Sequence, residues 1–185
     1  LQNQGGEQTV KIVGKPLLTQ EQIQTRVNQI AAKLSEDYRN KDIVAIGLLK
    51  GAFMFFSDLL RRLKAPVIVD FLIASSYEKT ASTGKVDIYA DIRENIKNRD
   101  VLLIEDIVDT GLTLSAIRQH ILSFQPASLK ICVFLDKKER RIKEVPLDYV
   151  GFEIPDEFVV GYGLDYENEY RNLPYVSIFK EKIDY

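Results

Sequence analysis

The sequence predicts an α/β fold: a mostly parallel, twisted central sheet flanked by helices, with a small cap beside it. Three observations predict it. Short runs of strand length alternate with segments of helical length between residues 19 and 136. The strand runs are apolar throughout, as expected where both faces of a sheet are covered. The tail from residue 149 onward instead carries short aromatic strands separated by turn residues, which suits a cap.

Each element has its own signal. Thr19 followed by Gln22 is a capping-box start, and Ile23, Val27, Ile30, Ala31 and Leu34 recur at helical spacing up to about Tyr38. "IVAIGLL" (43–49) is a continuous apolar strand, and "GAFMFFSDLLRRL" (51–63) after it reads as a helix. "PVIVDFLIAS" (66–75) is a second strand and "VLLIE" (101–105) a third. A helix follows from about Leu112 to Phe124, closed by Pro126, and "LKICVFLD" (129–136) is a fourth strand. Between the second and third strands lies a polar excursion rich in Ser, Thr and Lys, either an insertion or a lid.

Composition limits the function. At 185 residues, 45% hydrophobic and 28% charged, the chain reads as one globular domain, residues 1–185, with no repeat or linker to divide it. Its 25 basic and 27 acidic side chains leave a net charge of −2, so no global positive field recruits nucleic acid or a membrane surface. The single cysteine, Cys132, excludes an internal disulfide framework and suits a reducing cytoplasm. The apolar runs are too short for a bilayer span, and the N-terminus lacks a hydrophobic signal core.

The chemistry concentrates in "VLLIEDIVDTGLTL" (101–114), where a buried strand ends in Glu105 and Asp106 and a third carboxylate, Asp109, precedes a Thr-Gly turn. In parallel sheets ligands sit beyond the carboxyl ends of the strands. Gly111 permits a tight turn, the next helix offers its first unpaired amides, and Thr110 and Thr113 add hydroxyls, a cradle suited to phosphate. Simple capping of the helix by Asp109 or Thr110 is the other reading of the turn. Glu105 and Asp106 would repel a phosphate unless aimed elsewhere, at a sugar diol or a hard divalent cation. A sugar phosphate with a metal satisfies every group in the stretch.

This stretch resembles the phosphoribosyl pyrophosphate signature of the type I phosphoribosyltransferases. "LLKGAFMF" (48–55), "FLDKKERR" (134–141) and "VGFEIPDEFVVGYGLDYENEYRNL" (150–173) are similar to segments of the 6-oxopurine branch, the hypoxanthine-guanine phosphoribosyltransferases. The resemblance runs from about residue 10 to 180 and implies the type I fold, with a core of roughly 19–150 and a hood from the N-terminal strand and roughly 151–185. It implies purine salvage: transfer of ribose 5-phosphate from phosphoribosyl pyrophosphate to hypoxanthine or guanine, giving IMP or GMP and pyrophosphate. A xanthine-preferring relative, or a nucleotide-sensing regulator on the same fold, is the alternative.

The roles implied by the resemblance are as follows. Glu105 and Asp106 hold the ribose hydroxyls and a Mg²⁺ ion, while Asp109, Thr110, Gly111, Leu112 and Thr113 hold the 5-phosphate. Asp109 also stands near purine N7 as the catalytic carboxylate. Leu49, Lys50 and Gly51 form the pyrophosphate loop, with an unusual peptide geometry just before the lysine, and Arg171 meets the same pyrophosphate. Lys137 donates to the exocyclic oxygen of the purine, Phe158 stacks on the ring, and the backbone of Val159 reads its edge. Asp165, beside the purine, holds a second Mg²⁺ through water. Ser76 and Tyr77 open a mobile loop that covers the reacting centre. The implied assembly is a homodimer or homotetramer, with the apolar segment 52–60 available as an interface. His120 reads as a surface or packing residue, and the cluster "KKERR" beyond Lys137 as a solvated face.

Overall fold

The computed structural model describes residues 8–76 and 86–184. After β1 (Gln8–Leu18) comes α1 (Gln20–Asp37), whose start is the expected capping box: Thr19 Oγ1 accepts from Gln22 N, and Gln22 Oε1 accepts from Thr19 N at 2.8 Å. The residues that α1 buries are the five of the apolar stripe, Ile23, Val27, Ile30, Ala31 and Leu34. Then follow β2 (Ile43–Leu49), α2 (Phe53–Leu60), β3 (Val67–Ser76), β4 (Val86–Ala90), β5 (Asp100–Val108), α3 (Leu112–Ser123), β6 (Ser128–Asp136), β7 (Tyr149–Glu153), β8 (Val159–Val160) and β9 (Val176–Asp184).

Six strands form the main sheet in the order β4-β3-β2-β5-β6-β7, all parallel except β4. Because β2 and β5 are buried on both faces, successive residues feed two separate cores. Ile43, Ala45, Leu102 and Ile104 pack with α1 and α2, whereas Val44, Ile46, Val101 and Leu103 pack with α3. This explains the unbroken apolar runs. From β2 the chain moves outward through α2 to β3, and from β5 it moves the other way through α3 to β6. The direction therefore reverses between β2 and β5, and such a reversal opens a crevice beyond the strand ends where ligands lodge.

The strands depart from the sequence expectation in three places. The third strand does not stop at Glu105: β5 keeps pairing with β6 as far as Val108↔Asp136, so Glu105 and Asp106 lie on the strand. Pairing with β2 ends earlier, at Gly47↔Ile104, so the acidic residues overhang the β2 edge while still held from the β6 side. The excursion after β3 also returns as an edge strand, since β4 pairs antiparallel with β3 from Ser76↔Val86 to Ile73↔Ala90. Its return is fastened by Asp70, whose carboxylate accepts from Arg93 N at 2.7 Å and Glu94 N at 2.8 Å. Ser76 closes β3, and Tyr77 lies outside the described residues.

In the tail, Tyr149–Glu153 joins the main sheet beside β6 and is not part of the cap. Arg26 of α1 fixes it there by donating to the carbonyls of Gly151 at 2.8 Å and Val150 at 2.7 Å. The remaining tail strands pair with the N-terminal strand in a second, antiparallel sheet, β1-β9-β8. Buried Ser177 ties its strands by donating to the carbonyls of Gly14 and Lys15. No helix among the described residues is long and apolar enough to cross a membrane.

Candidate active site

The crevice at the β2/β5 reversal is built from two strand ends and a piece of the tail. At the end of β2 the Leu49–Lys50 peptide is cis, and Gly51 follows with Asp106 packed directly on its backbone. A Cβ built on Gly51 would lie 1.6 Å from Asp106 Oδ2, so only glycine leaves room for that carboxylate. From the other side Gly163, at φ +103°, approaches so closely that a Cβ there would meet the Gly51 carbonyl oxygen at 2.1 Å. Arg171 locks this arrangement, donating to the Gly163 carbonyl at 2.7 Å and pairing with Asp165 at 2.6 Å. Lys50, Gly51, Asp106, Gly163, Asp165 and Arg171 thus form one continuous contact chain.

On β5, Asp106 Oδ1 accepts from Ile107 N at 2.8 Å. Glu105 is the tenser neighbour. Its Oε2 atom is buried and without a hydrogen-bond partner among the described residues, although the residue as a whole is partly exposed. Burial, and then the adjacent Asp106 carboxylate, push the Glu105 carboxyl well above the usual range. Such a group is incomplete without a ligand that donates hydrogen bonds or carries positive charge.

Beyond β5 the turn 109–113 leads into α3. Gly111 is at φ +80°, in the left-handed region, and a Cβ there would strike the Lys143 carbonyl at 2.1 Å. The N-cap residue Gly111 has no side chain to satisfy the helix start, and Thr110 Oγ1 accepts a long hydrogen bond from Leu112 N at 3.4 Å. The capping reading thus holds for Thr110, through one long bond to the first helical amide, and among the described residues no such bond involves Asp109; the other amides of the first turn of α3 are left to offer an anion. A cavity of about 200 Å³ opens here, lined by Glu105, Asp109, Thr110, Gly111, Thr113 and Leu114 among others.

Of the residues expected from the sequence to meet a purine, Lys137 follows β6 directly and Phe158 and Val159 lie at the start of β8. Lys137 N donates to the Val108 carbonyl at 2.9 Å, which seats the residue at the end of β6 with only 6% of its surface exposed. Its ammonium lies 3.9 Å from Asp156, whereas neighbouring Lys138 is exposed and pairs with Glu153. Geometry thus separates two lysines that the sequence leaves side by side. Phe158 is 51% exposed, touching Tyr166 and Phe179 only edge-on, so it is not a core side chain. In the β8–β9 pair Phe158 bonds across to Phe179 N at 2.9 Å. The antiparallel alternation then turns the N–H and C=O of Val159 away from β9, to the open edge of the sheet.

The pattern of the phosphoribosyl transferase domain matches residues 15–167. The chain belongs to the phosphoribosyl transferase family. Within that family, a hypoxanthine-guanine phosphoribosyltransferase of Staphylococcus aureus is 48% identical over 168 residues, spanning 90% of this chain and 94% of the relative. A crystal structure of a hypoxanthine-guanine phosphoribosyltransferase from Bacillus anthracis, with HEPES in the active site, superposes with a TM-score of 0.88 at 43% identity and covers 92% of this chain and 99% of its own. The hypoxanthine phosphoribosyltransferase of Trypanosoma cruzi in complex with the product IMP superposes at 0.85 with 41% identity, covering 91% of this chain and 95% of its own.

Two features of this phosphoribosyl transferase run against or beyond the sequence reading. The "KKERR" cluster is solvated as expected at Lys138, Glu139 and Arg140 but not at Arg141, whose side chain is buried against Asp136 and donates from Nε to the Asp109 carbonyl at 3.2 Å; the half-exposed Arg140 pairs with Asp109 Oδ2 at 3.2 Å. Arg141, Ile142 and Lys143 together brace the turn, the last two by donating to the Thr110 carbonyl at 2.9 Å. Nothing in the local sequence marks this, because the contacts span about thirty positions. His120 is a packing residue as expected, bonded to Asp91 at 2.8 Å and set edge-on to Phe124.

Proposed function

We propose that this chain transfers ribose 5-phosphate from phosphoribosyl pyrophosphate to N9 of a 6-oxopurine, hypoxanthine or guanine, releasing pyrophosphate. One observation carries the reading. Glu105 and Asp106, one with a buried unpartnered oxygen, stand beside a helix start whose N-cap residue, Gly111, has no side chain to satisfy its amides, at the reversal point of the sheet. Adjacent carboxylates suit the two ribose hydroxyls as acceptors, and the amides and hydroxyls of Thr110 to Thr113 suit the 5-phosphate.

The remaining groups fit the leaving group and the base. Lys50 and the amides around Gly51 face pyrophosphate, with Arg171 as its guanidinium partner. Lys137 donates to O6 of the purine; an ammonium has no acceptor for the amino group of adenine, which supports a choice for 6-oxopurines. Phe158 lies against the ring, and Val159 reads its edge through the main chain. Asp109 accepts or shares a proton near N7 as the bond to N9 forms, and its charge stabilises the positive character that develops on the sugar.

The hard oxygens of Glu105 and Asp106 also fit Mg²⁺. Among the described residues no group of three or more His, Cys, Asp or Glu side chains converges. Glu105, Asp106 and Asp165 are the residues that would hold such an ion, with substrate oxygens and water as its remaining ligands. When bound, Mg²⁺ neutralises the charge of the departing pyrophosphate. Cytoplasmic residence is in keeping with the free, buried Cys132 thiol. A homodimer or homotetramer is supported by apolar side chains left exposed on α2 and β3, namely Phe53, Val69 and Phe71.

The test of the donor site is calorimetric titration of phosphoribosyl pyrophosphate with Mg²⁺ into the wild-type chain and Asp106→Ala. Binding by the first and its loss in the second is the expected result. Equal binding by both would overturn the assignment of the diol to this carboxylate pair.

A further inference from the structure

Arg140 sits between the two halves of the proposed base site. Its Nη1 lies 3.2 Å from Asp109 Oδ2 and its Nε 3.7 Å from Asp156 Oδ1, and Lys137 Nζ lies 3.9 Å from the same Asp156 oxygen. Four charges of alternating sign therefore run from Asp109 through Arg140 and Asp156 to Lys137. Each stands on a different piece of chain: the phosphate turn, the short 3-10 turn Lys138–Arg140, the approach to β8, and the end of β6. Two different nitrogens of one planar guanidinium make the two contacts, which a lysine ammonium cannot reproduce at once.

The consequence falls on Asp109. Among the described residues, Arg140 is the side chain that forms an ion pair with any of Glu105, Asp106 and Asp109. With Oδ2 committed to Arg140, the other oxygen, Oδ1, is left buried and without a hydrogen-bond partner. Arg141 holds the same residue by its carbonyl, so backbone and side chain are gripped by consecutive arginines. A short carboxylate pinned through one oxygen and its main chain has little freedom in where the other oxygen points.

We propose that Arg140 is a positioning residue of the transferase: by binding Asp109 Oδ2 and Asp156 together it fixes the oxygen that meets the purine and the acidic anchor of the base-reading Lys137. The proposal rests on the reading of Asp109 as the group that acts at the purine. Arg140 is itself half exposed, and exposed ion pairs add little to stability, so its removal should change turnover without unfolding the chain.

Steady-state turnover of hypoxanthine with phosphoribosyl pyrophosphate and Mg²⁺, in wild type, Arg140→Gln, Arg140→Lys, Asp109→Asn and the Asp109→Asn/Arg140→Gln double variant, is the test. Arg140→Gln should lower kcat ~10-fold and raise the purine KM several-fold, leave the KM for phosphoribosyl pyrophosphate within ~2-fold, and keep the wild-type melting temperature. Arg140→Lys, which restores one of the two contacts, should recover part of the loss. On the Asp109→Asn background the Arg140→Gln change should cost less than ~2-fold. Wild-type kcat in Arg140→Gln, an undiminished loss on the Asp109→Asn background, or a parallel rise in the KM for phosphoribosyl pyrophosphate would each overturn the proposal while leaving the Asp109 reading intact. Full turnover in Asp109→Asn would overturn both, and is read separately from that single variant.

Discussion

Gly51 and Asp106 occupy each other's space: the position of a methyl group on the first is 1.6 Å from a carboxylate oxygen of the second. They belong to the loop after β2 and the end of β5, the two strands between which the sheet reverses direction. The proposed leaving-group loop and the proposed ribose carboxylate are therefore in register only if residue 51 has no side chain.

Gly51→Ala should accordingly damage the site more than the fold. The Asp106 carboxylate would have to swing away, and overpacking of this kind costs ~1–3 kcal/mol, most of it falling on substrate binding where that carboxylate works. The expected loss in kcat/KM is ~100-fold, with a folded circular dichroism spectrum. Near-normal kcat/KM would show that Asp106 need not stay where the structure places it.

Glu105 predicts a pH dependence of stability. Its carboxyl is raised above the ordinary value of 4.5 by burial and by Asp106, so folding favours its protonated form. Its contribution is fully present below that ordinary value and is lost as pH rises through the raised one. In Glu105→Gln the loss disappears. Without ligands, the melting temperature of the variant relative to wild type should increase between pH 5 and pH 8, by ~2–4 °C for each ~1 kcal/mol recovered. A difference that stays constant with pH would contradict the assignment, and the variant should still bind phosphoribosyl pyrophosphate more weakly.

Lys137→Met and Lys138→Met separate the adjacent lysines. Loss of a donor to the purine oxygen should raise the hypoxanthine KM ~10–100-fold in the first, since charged hydrogen bonds are worth ~1.5–3 kcal/mol. The second lies on an exposed pair with Glu153 and should behave as wild type. Kinetics of both variants with either substrate varied decide the matter; a larger effect at 138 would reverse the assignment.

Asp109→Asn should slow turnover ~10²-fold or more, the usual scale of general acid–base catalysis, with little change in affinity for phosphoribosyl pyrophosphate. Single-turnover rates beside equilibrium binding distinguish the two effects. Unchanged single-turnover rates would remove Asp109 from the chemistry.

What the sequence made legible follows from the range of the interactions involved. The stripe on α1, the cap at Thr19 and the apolar cores of β2 and β5 are local or periodic patterns, and the structure repeats them nearly residue for residue. The tight turn at Gly111 before α3 was equally readable, because its hydroxyls and glycine lie within five consecutive positions. Less legible were β4, a five-residue strand on the sheet edge with little buried surface, and the place of Tyr149–Glu153, set by parallel pairing with β6 and by Arg26 from the far end of the chain. The work of Arg140 and Arg141 was hidden for the same reason: its partners, Asp109 and Asp156, are distant in sequence or belong to another element. A run of charges carries no sign of which carboxylates it will meet.

The most direct measurement is product formation from phosphoribosyl pyrophosphate and Mg²⁺ with hypoxanthine, guanine or adenine in turn, following nucleotide and pyrophosphate together. Equimolar IMP or GMP and pyrophosphate from the two 6-oxopurines, with no AMP above background, is the expected result. Absence of nucleotide from all three bases, or turnover of adenine at a rate equal to hypoxanthine, would contradict it.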